Sequence, residues 1–116
     1  MAKFENLSNR SIIIIEPKQP FIDWLNSVNP TAQCKLGEIN DLTAYLIPDC
    51  VDNKELTRFL KANYKPIFEE ELFGWMENEK LWPKKRTYDM FREWFKINFH
   101  SMIYEMCDSN ILKERY

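Results

Sequence analysis

The stretch RSIIIIEP, residues 10 to 17, decides the fold, because its four consecutive isoleucines favour an extended backbone. β-Branched side chains are stiff about χ1 and pack well on a pleated sheet. Since neighbouring side chains of a strand point to opposite faces, apolar residues on both faces indicate a strand that is covered on both sides. We therefore predict that residues 11 to 16 form the central strand of a sheet, and that Glu16-Pro17 ends it.

The residues that follow predict one helix and a second strand. Four apolar residues recur at the spacing of a single helical face: Phe21, Trp24, Leu25 and Val28. Asn29-Pro30 ends this helix, and the polar residues 30 to 41 predict a loop. Residues 42 to 47 predict a second strand, which Pro48 closes. The helix is short for a parallel crossover, so parallel and antiparallel pairing of the two strands both stay open.

A long helical pattern begins at Asp52, which has the capping-box spacing to Glu55. Apolar residues keep a rhythm of three and four from residue 56 to residue 76, so we predict a long amphipathic helix there. Pro66 lies inside this pattern and predicts a kink, or a division into two helices. The acidic run of residues 69 to 71 indicates a solvated face, because successive helix positions diverge by about 100°.

The last third of the chain predicts a helix followed by a third strand. Thr87 is a good N-cap, and Asp89 favours the positive end of a helix. From about Ile97 to Met106 the period changes from 3.6 to 2, which is typical of a strand. The predicted order is β-α-β-α-α-β. It corresponds to a single α/β (α+β) domain over residues 1–116, with a three-stranded mixed or antiparallel sheet, three to four helices, and frayed ends at 1–9 and 108–116.

The composition fits one globular domain of 116 residues, of which 45% are apolar and 29% are charged. The formal net charge of −2, with both signs mixed, offers no general attraction to nucleic acid or anionic lipid. Three cysteines without a CxxC spacing indicate reduced thiols rather than disulfides or a zinc site. No signal peptide or membrane-spanning stretch is evident, so we expect a cytoplasmic protein without membrane contact.

His100 is the only histidine and therefore the first candidate for a catalytic residue. On a strand the adjacent Ser101 points to the opposite face, so the two do not form a nucleophile and its base. The sequence shows no metal-ligand spacing and only two glycines, so we predict no catalytic residue, no metal and no cofactor. A binding pocket near this histidine would draw on five candidate residues: Lys18, Trp82, Arg86, His100 and Tyr104.

The four tryptophans are the most unusual feature of the composition. Trp24, Trp75 and Trp94 fall on apolar faces of predicted helices, which predicts packing in the core. Trp82 lies in a connection, where we expect it to insert into the core. If one tryptophan is exposed, we expect it to be Trp82, with Arg86 beside it.

Several segments together resemble a family of small bacterial cytosolic proteins with no assigned function. The segments are IIIEPKQPFIDWLN, AYLIPD and LWPKKRTYDMFREWFKINFHSMIYEM, and the resemblance covers most of residues 10 to 106. The pattern consists of spaced PKxPFxDW, YLIP and LWPxxRTxxxFxxWFxxxxHS motifs. The resemblance implies a bacterial, cytoplasmic, single-domain protein, and it implies neither a reaction nor a ligand.

These observations lead to three hypotheses on function. The lack of a catalytic constellation and the surplus of aromatic residues favour a non-enzymatic interaction or accessory domain, with a protein partner or as a homodimer. The alternative is a small enzyme or ligand-binding domain with its pocket near His100. The third is a nucleic-acid contact through the basic residues 83–86, against which the acidic surroundings and the net charge argue.

Overall fold

The structure, a computed structural model, describes residues 5 to 114 and shows a small α+β fold. The strands in this part of the chain are β1 (Glu5–Asn6), β2 (Arg10–Pro17), β3 (Thr43–Pro48), β4 (Phe95–His100) and β5 (Tyr104–Glu105). The helices are α1 (Gln19–Val28), α2 (Asn53–Phe73) and α3 (Tyr88–Trp94), and a short 3₁₀ turn covers Glu79–Leu81.

β2 is the central strand of a three-stranded sheet, as the run of isoleucines predicts. The strand order is β3-β2-β4, and both pairings are antiparallel. After α1 and the predicted loop, β3 runs antiparallel beside β2. Of the parallel and antiparallel pairings that the sequence left open, the structure thus shows the antiparallel one. The predicted α+β class, with an antiparallel sheet and three helices, is confirmed.

A second sheet of two short strands was not predicted. β1 pairs with β5 in antiparallel register, with Glu5 opposite Glu105. β1 falls in the segment predicted to be frayed, whereas β5 belongs to the third predicted strand, which is interrupted at residues 101 to 103. The backbone N–H of Leu7 donates to the carbonyl of Ile103 at 2.9 Å and carries the pairing across this interruption. Residues 108 to 114 have no regular structure, and the predicted ends 1–4 and 115–116 lie outside the described residues.

The two faces of the three-stranded sheet differ in coverage. On the inner face Ile13 and Ile15 are fully buried, whereas Ile12 and Ile14 on the outer face are half-buried. All three helices pack on the inner face, because rings from α1, α2 and α3 contact Phe95 there. The prediction that both faces of β2 are covered is therefore wrong for residues 5 to 114. The isoleucines specify a strand, but they do not ensure cover on both of its faces. The three helices form a single layer, and this layer lies on the inner face.

α2 begins as the sequence predicts and is not divided at Pro66. The Asp52 carboxylate accepts the backbone N–H of Glu55 at 2.9 Å, and the Glu55 carboxylate accepts the N–H of Val51 at 2.9 Å. The helix then runs unbroken through Pro66 to its end. Proline removes the backbone bond to the carbonyl of Ala62, which lies on an exposed part of the helix, where water can bind the carbonyl.

Trp75 is exposed, which contradicts its predicted place on an apolar helix face. α2 ends before Gly74, so the 3.6-residue rhythm no longer determines which side chains face the core beyond that point. The side chain of Trp75 is 48% exposed, whereas Trp24 and Trp82 are 9% and 7% exposed. The expectation that Trp82 inserts into the core is confirmed, and the expectation that it is the first tryptophan to be exposed is wrong.

α3 and β4 follow each other without a connecting loop. The hydroxyl oxygen of Thr87 accepts the backbone N–H of Met90 at 3.1 Å, which confirms the predicted N-cap. The helix ends at Trp94, and the strand begins at Phe95, two residues before the predicted change of period. The last residue of the helix and the first residue of the strand therefore both reach the core.

Aromatic rings form the centre of the core between the sheet and the helices. Phe68 of α2 lies with its ring centroid 5.9 Å from Phe91, 5.5 Å from Trp94 and 5.4 Å from Phe95. Phe21 of α1 completes the cluster at 5.2 Å from Phe95. Pairs at these separations contribute beyond the area that they bury. The aromatic cluster thus joins all three helices to β4.

The substitution Phe68→Ala should destabilise the protein by about 3–5 kcal/mol, because it leaves a cavity among rings that cannot all close around it. Phe68 has no exposed surface, whereas Phe73, five residues later on the same helix, is 49% exposed. Phe73→Ala is therefore the matched control, with an expected loss of about 1 kcal/mol or less. Urea unfolding followed by circular dichroism measures both, and equal losses would show that Phe68 is not part of the core.

Candidate functional site

The five candidate binding residues are not brought together by the fold. Lys18, Tyr104 and Trp82 line three separate cavities. Arg86 lies beside Trp82, and His100 is exposed at the end of β4. A pocket near His100 requires these groups to converge on one cavity. In the described part of the chain three of them line different cavities, and neither Arg86 nor His100 lines any of these three.

The cavity at Lys18 is enclosed by the start of α1, the following loop and the start of β4. It has a volume of about 420 Å³, with Ile22 and Leu36 among its apolar lining. The ammonium group of Lys18 donates to the carbonyl of Arg92 at 2.9 Å. A second lysine of the lining, Lys96, lies 3.9 Å from a carboxylate of β2. Both cationic groups are thus engaged within the chain, which leaves this cavity without a dedicated anion site.

Trp82 and Arg86 form a clasp that holds the connection between α2 and α3 in place. The indole N–H of Trp82 donates to the carbonyl of Met76 at 2.7 Å. The guanidinium carbon of Arg86 lies 5.7 Å from the centroid of the Trp82 ring, a cation–π contact. Arg86 also donates to the carbonyl of Pro83 at 2.7 Å and lies 3.5 Å from the carboxylate of Glu69. We call this arrangement the Trp82–Arg86 clasp.

The clasp bears on the hypothesis of a nucleic-acid contact through residues 83–86. Arg86 is turned toward Trp82 and Glu69, so the exposed cations of the cluster are Lys84 and Lys85. A protein that tracks a phosphate backbone neutralises several phosphates along a continuous path. Two adjacent lysines beside a carboxylate do not form such a path, and the hypothesis gains no support from the geometry.

A groove along the side of α2 that faces away from the sheet is the candidate functional site. Its volume is about 700 Å³, and its lining comes from α2, from the residue that ends α2, and from the connection that folds back along the helix. We call it the acidic groove, and its lining residues are Pro66, Glu69, Glu70, Phe73, Gly74, Glu79 and Trp82. The Trp82–Arg86 clasp holds its far wall.

The acidic groove combines carboxylates with apolar surface. Glu69, Glu70 and Glu79 supply the negative charge. Phe73 supplies exposed aromatic surface, and the nearly buried Trp82 is part of the lining. Long cationic side chains bury an apolar stem and keep a charged head, so a groove of this composition suits lysine or arginine side chains. Among residues 5 to 114, no group of three or more His, Cys, Asp or Glu side chains is arranged to hold a metal ion.

The acidic groove is absent from the predictions made from the sequence, because the acidic run indicates a solvated face. A usable signal was present, since Pro66, Glu69, Glu70 and Phe73 follow the spacing i, i+3, i+4 and i+7 of one helical face. That spacing identifies a mixed acidic and apolar face. The second wall depends on the chain turning back at the end of α2, which the spacing does not reveal.

Glu71 is the member of the acidic run that leaves the solvated face. Its carboxylate accepts the hydroxyl of Tyr45 at 2.6 Å and so connects α2 to β3. Burial raises the pKa of Glu71, and the charge of Glu70 adds to the rise, whereas hydrogen bonds from Tyr45 and Thr43 oppose it. Burial, followed by the contact with Glu71, also raises the pKa of Tyr45.

The raised pKa of Glu71 predicts a stability that depends on pH. The folded chain holds the proton of the Glu71 carboxyl more tightly than the unfolded chain does. The stabilisation that results is complete below about pH 4 and is lost as the pH rises through the higher pKa of the folded state. Glu71→Gln removes this decline. The free energy of unfolding of the wild type, minus that of the variant, should therefore fall as the pH rises above about 4, as measured by urea unfolding. A difference that rises with pH for Glu71→Gln would contradict the assignment.

Arg86→Ala should destabilise the protein by about 1–2 kcal/mol, because it removes the contact with Trp82 and a charged hydrogen bond at once. Arg86→Lys should lose an intermediate amount, since an ammonium cannot reproduce the planar contacts of a guanidinium. The exposed Lys84→Ala is the matched control, with a change within about 0.5 kcal/mol. Thermal unfolding measures the stability of each variant, and tryptophan fluorescence reports changes in the environment of Trp82. An Arg86→Ala variant as stable as the control would show that the clasp does not hold the connection.

Comparison with protein-family models, with curated proteins and with solved structures finds no match for this chain. The bacterial family that the PKxPFxDW, YLIP and LWPxxRT segments resemble therefore stays a prediction. Within residues 5 to 114, no helix combines the length and the apolar character that crossing a membrane requires. The function is accordingly inferred from the acidic groove itself.

Proposed function

We propose that this protein is a non-enzymatic interaction domain that binds a basic segment of a partner protein in the acidic groove. The observation that carries the proposal is the lining of the groove, in which three carboxylates stand beside exposed aromatic surface. The partner segment would present lysine or arginine side chains interspersed with apolar ones. The aromatic surplus seen in the sequence then serves both the core and this surface.

The charge of the groove favours a cationic partner. Of its carboxylates, Glu69 is paired with Arg86 at 3.5 Å. The other ion pair of the described residues joins Lys96 to Glu16, away from the groove, so Glu70 and Glu79 take part in neither pair. These two carboxylates are thus available to the ammonium or guanidinium groups of a bound segment.

Three large, exposed apolar side chains lie in the chain segment at the same end of α2. Phe73, Trp75 and Leu81 are 49%, 48% and 44% exposed, and they lie within nine residues of one another in the sequence. Tryptophan and other aromatic residues are enriched among the residues that dominate binding energy at interfaces. Large apolar residues exposed beside a charged groove therefore support a protein partner rather than a small polar ligand.

We also propose that the protein is cytoplasmic and bacterial, as the resembling segments imply. All three cysteines are free thiols, and the thiol of Cys50 is buried at 5% exposure. Free cysteines are typical of a reducing compartment. This location is consistent with an accessory domain that meets other cytoplasmic proteins.

The groove is tested with a fluorescein-labelled 15-residue amphipathic peptide of lysine and leucine, measured by fluorescence anisotropy. We expect binding that weakens as salt is raised, because exposed charges are screened. Glu70→Lys/Glu79→Lys should weaken it by about tenfold or more, since two attractive contacts become repulsive. Amide shifts of labelled protein should map the bound peptide to the end of α2.

Two controls make this experiment specific. Glu38→Lys/Glu93→Lys changes the net charge by the same amount at exposed positions outside the groove, and it should bind the peptide within about twofold of the wild type. A lysine and serine peptide of equal charge should bind more weakly, because it lacks apolar side chains. If both double variants lose affinity equally, or if the amide shifts fall elsewhere, the proposed function is wrong.

A further inference from the structure

We infer that a second copy of this chain packs on the outer face of the three-stranded sheet and forms a twofold dimer. The outer face carries Arg10, Ile12, Ile14 and Glu16 of β2, flanked by Leu46 of β3 and His100 of β4. This surface lies on the opposite side of the sheet from the helices, so the inference does not depend on the acidic groove.

Within residues 5 to 114, nothing but the sheet itself is seen to border most of the outer face, which is open to solvent. Leu46 is 50% exposed, and His100 is also exposed, although both stand directly beside Ile12 in the sheet. The helices contact the opposite face, and Ile12 and Ile14 are only half-buried. In the part of the chain that the structure describes, the strand with the strongest apolar pattern therefore has one uncovered side.

An antiparallel sheet with one solvated face normally alternates apolar and polar side chains along its strands. β2 departs from that rule, since Ile12 and Ile14 occupy the positions where polar residues are expected. The sequence pattern is that of a strand covered on both sides, whereas residues 5 to 114 cover only one of them. A second layer supplied by another molecule accounts for both observations.

The order of side chains along the outer face favours a second copy as that layer. Arg10, Ile12, Ile14 and Glu16 follow one another as basic, apolar, apolar and acidic. When two such strands stack antiparallel about a twofold axis, Ile12 of each copy meets Ile14 of the other. The same operation places Arg10 near Glu16 twice. Glu16 pairs with Lys96 of its own chain at 3.9 Å, and 43% of its side chain stays exposed for the contact with Arg10 of the partner. The pattern is thus complementary to itself, which an isologous interface requires.

The size of the face predicts a weak and reversible dimer. Three strands spaced by about 4.8 Å and seven residues that each rise by about 3.3 Å give a footprint of about 300 Å². A standard interface buries about 800 Å² on each partner. We therefore expect monomers at about 10 μM and a substantial dimer fraction only at several hundred micromolar, in the range of weak interfaces.

Sedimentation velocity from about 10 μM to 1 mM tests the inference on the whole chain. The wild type should shift from monomer to dimer across this range. Ile12→Thr/Ile14→Thr keeps β-branched side chains and removes apolar contact area, so this variant should weaken association by at least about tenfold. Phe73→Ala/Leu81→Ala, on the other side of the molecule, should leave it unchanged. A wild type that stays monomeric throughout, or a dimer that only the second variant disrupts, would overturn the inference.

A pair of charge reversals tests the antiparallel arrangement. Arg10→Glu and Glu16→Arg should each remain monomeric when alone, because each homodimer would set like charges against one another twice. An equimolar mixture of the two variants restores both opposite-charge contacts and should associate like the wild type. Circular dichroism establishes that each variant is folded. If the mixture associates no better than the separate variants while the wild type dimerises, the antiparallel stacking is overturned.

Discussion

The packing of aromatic rings around Phe95 is the constraint on which the rest of this structure depends. α3 has seven residues, and isolated helices shorter than about 12 residues are marginal in water. The helix is therefore maintained by its contacts, chiefly those of Phe91 with Phe68 and Phe95. Because α3 passes directly into β4, the same rings that dock the helix also set the position at which the strand enters the sheet. The position of α3 and the start of β4 therefore depend on the same contacts.

Local chemistry accounts for the elements that the sequence predicts correctly. Four isoleucines specify β2, Asp52 and Thr87 cap their helices, and Asn29-Pro30 ends α1. Each of these signals acts within a few residues, so it is readable without knowledge of the fold. The pairing of β2 with β3 is different, because a short helix and a loop permit either direction until the aromatic cluster places α1 on the inner face.

The features that escape prediction arise where the chain changes direction. Trp75 continues the helical rhythm in sequence but not in space, because α2 has already ended. The acidic groove has one wall on α2 and another on a connection held by Trp82, so its two sides are related only through the fold. The separation of Lys18 from Tyr104 has the same origin, since proximity between distant segments is not encoded in residue types.

The one-sided placement of the helices gives the molecule two surfaces of different character. The acidic groove lies on the side of α2 that faces away from the sheet, because the buried Ile67, Phe68 and Leu72 occupy the other side of that helix. The outer face of the three-stranded sheet lies on the side of the sheet away from the helices. A dimer through the sheets would consequently leave both grooves open, one on each outer side. Two weak sites on one particle bind a partner with repeated basic segments more tightly than either site alone. Occupied grooves and a weak dimer would then reinforce one another, since a bridging partner holds both copies together.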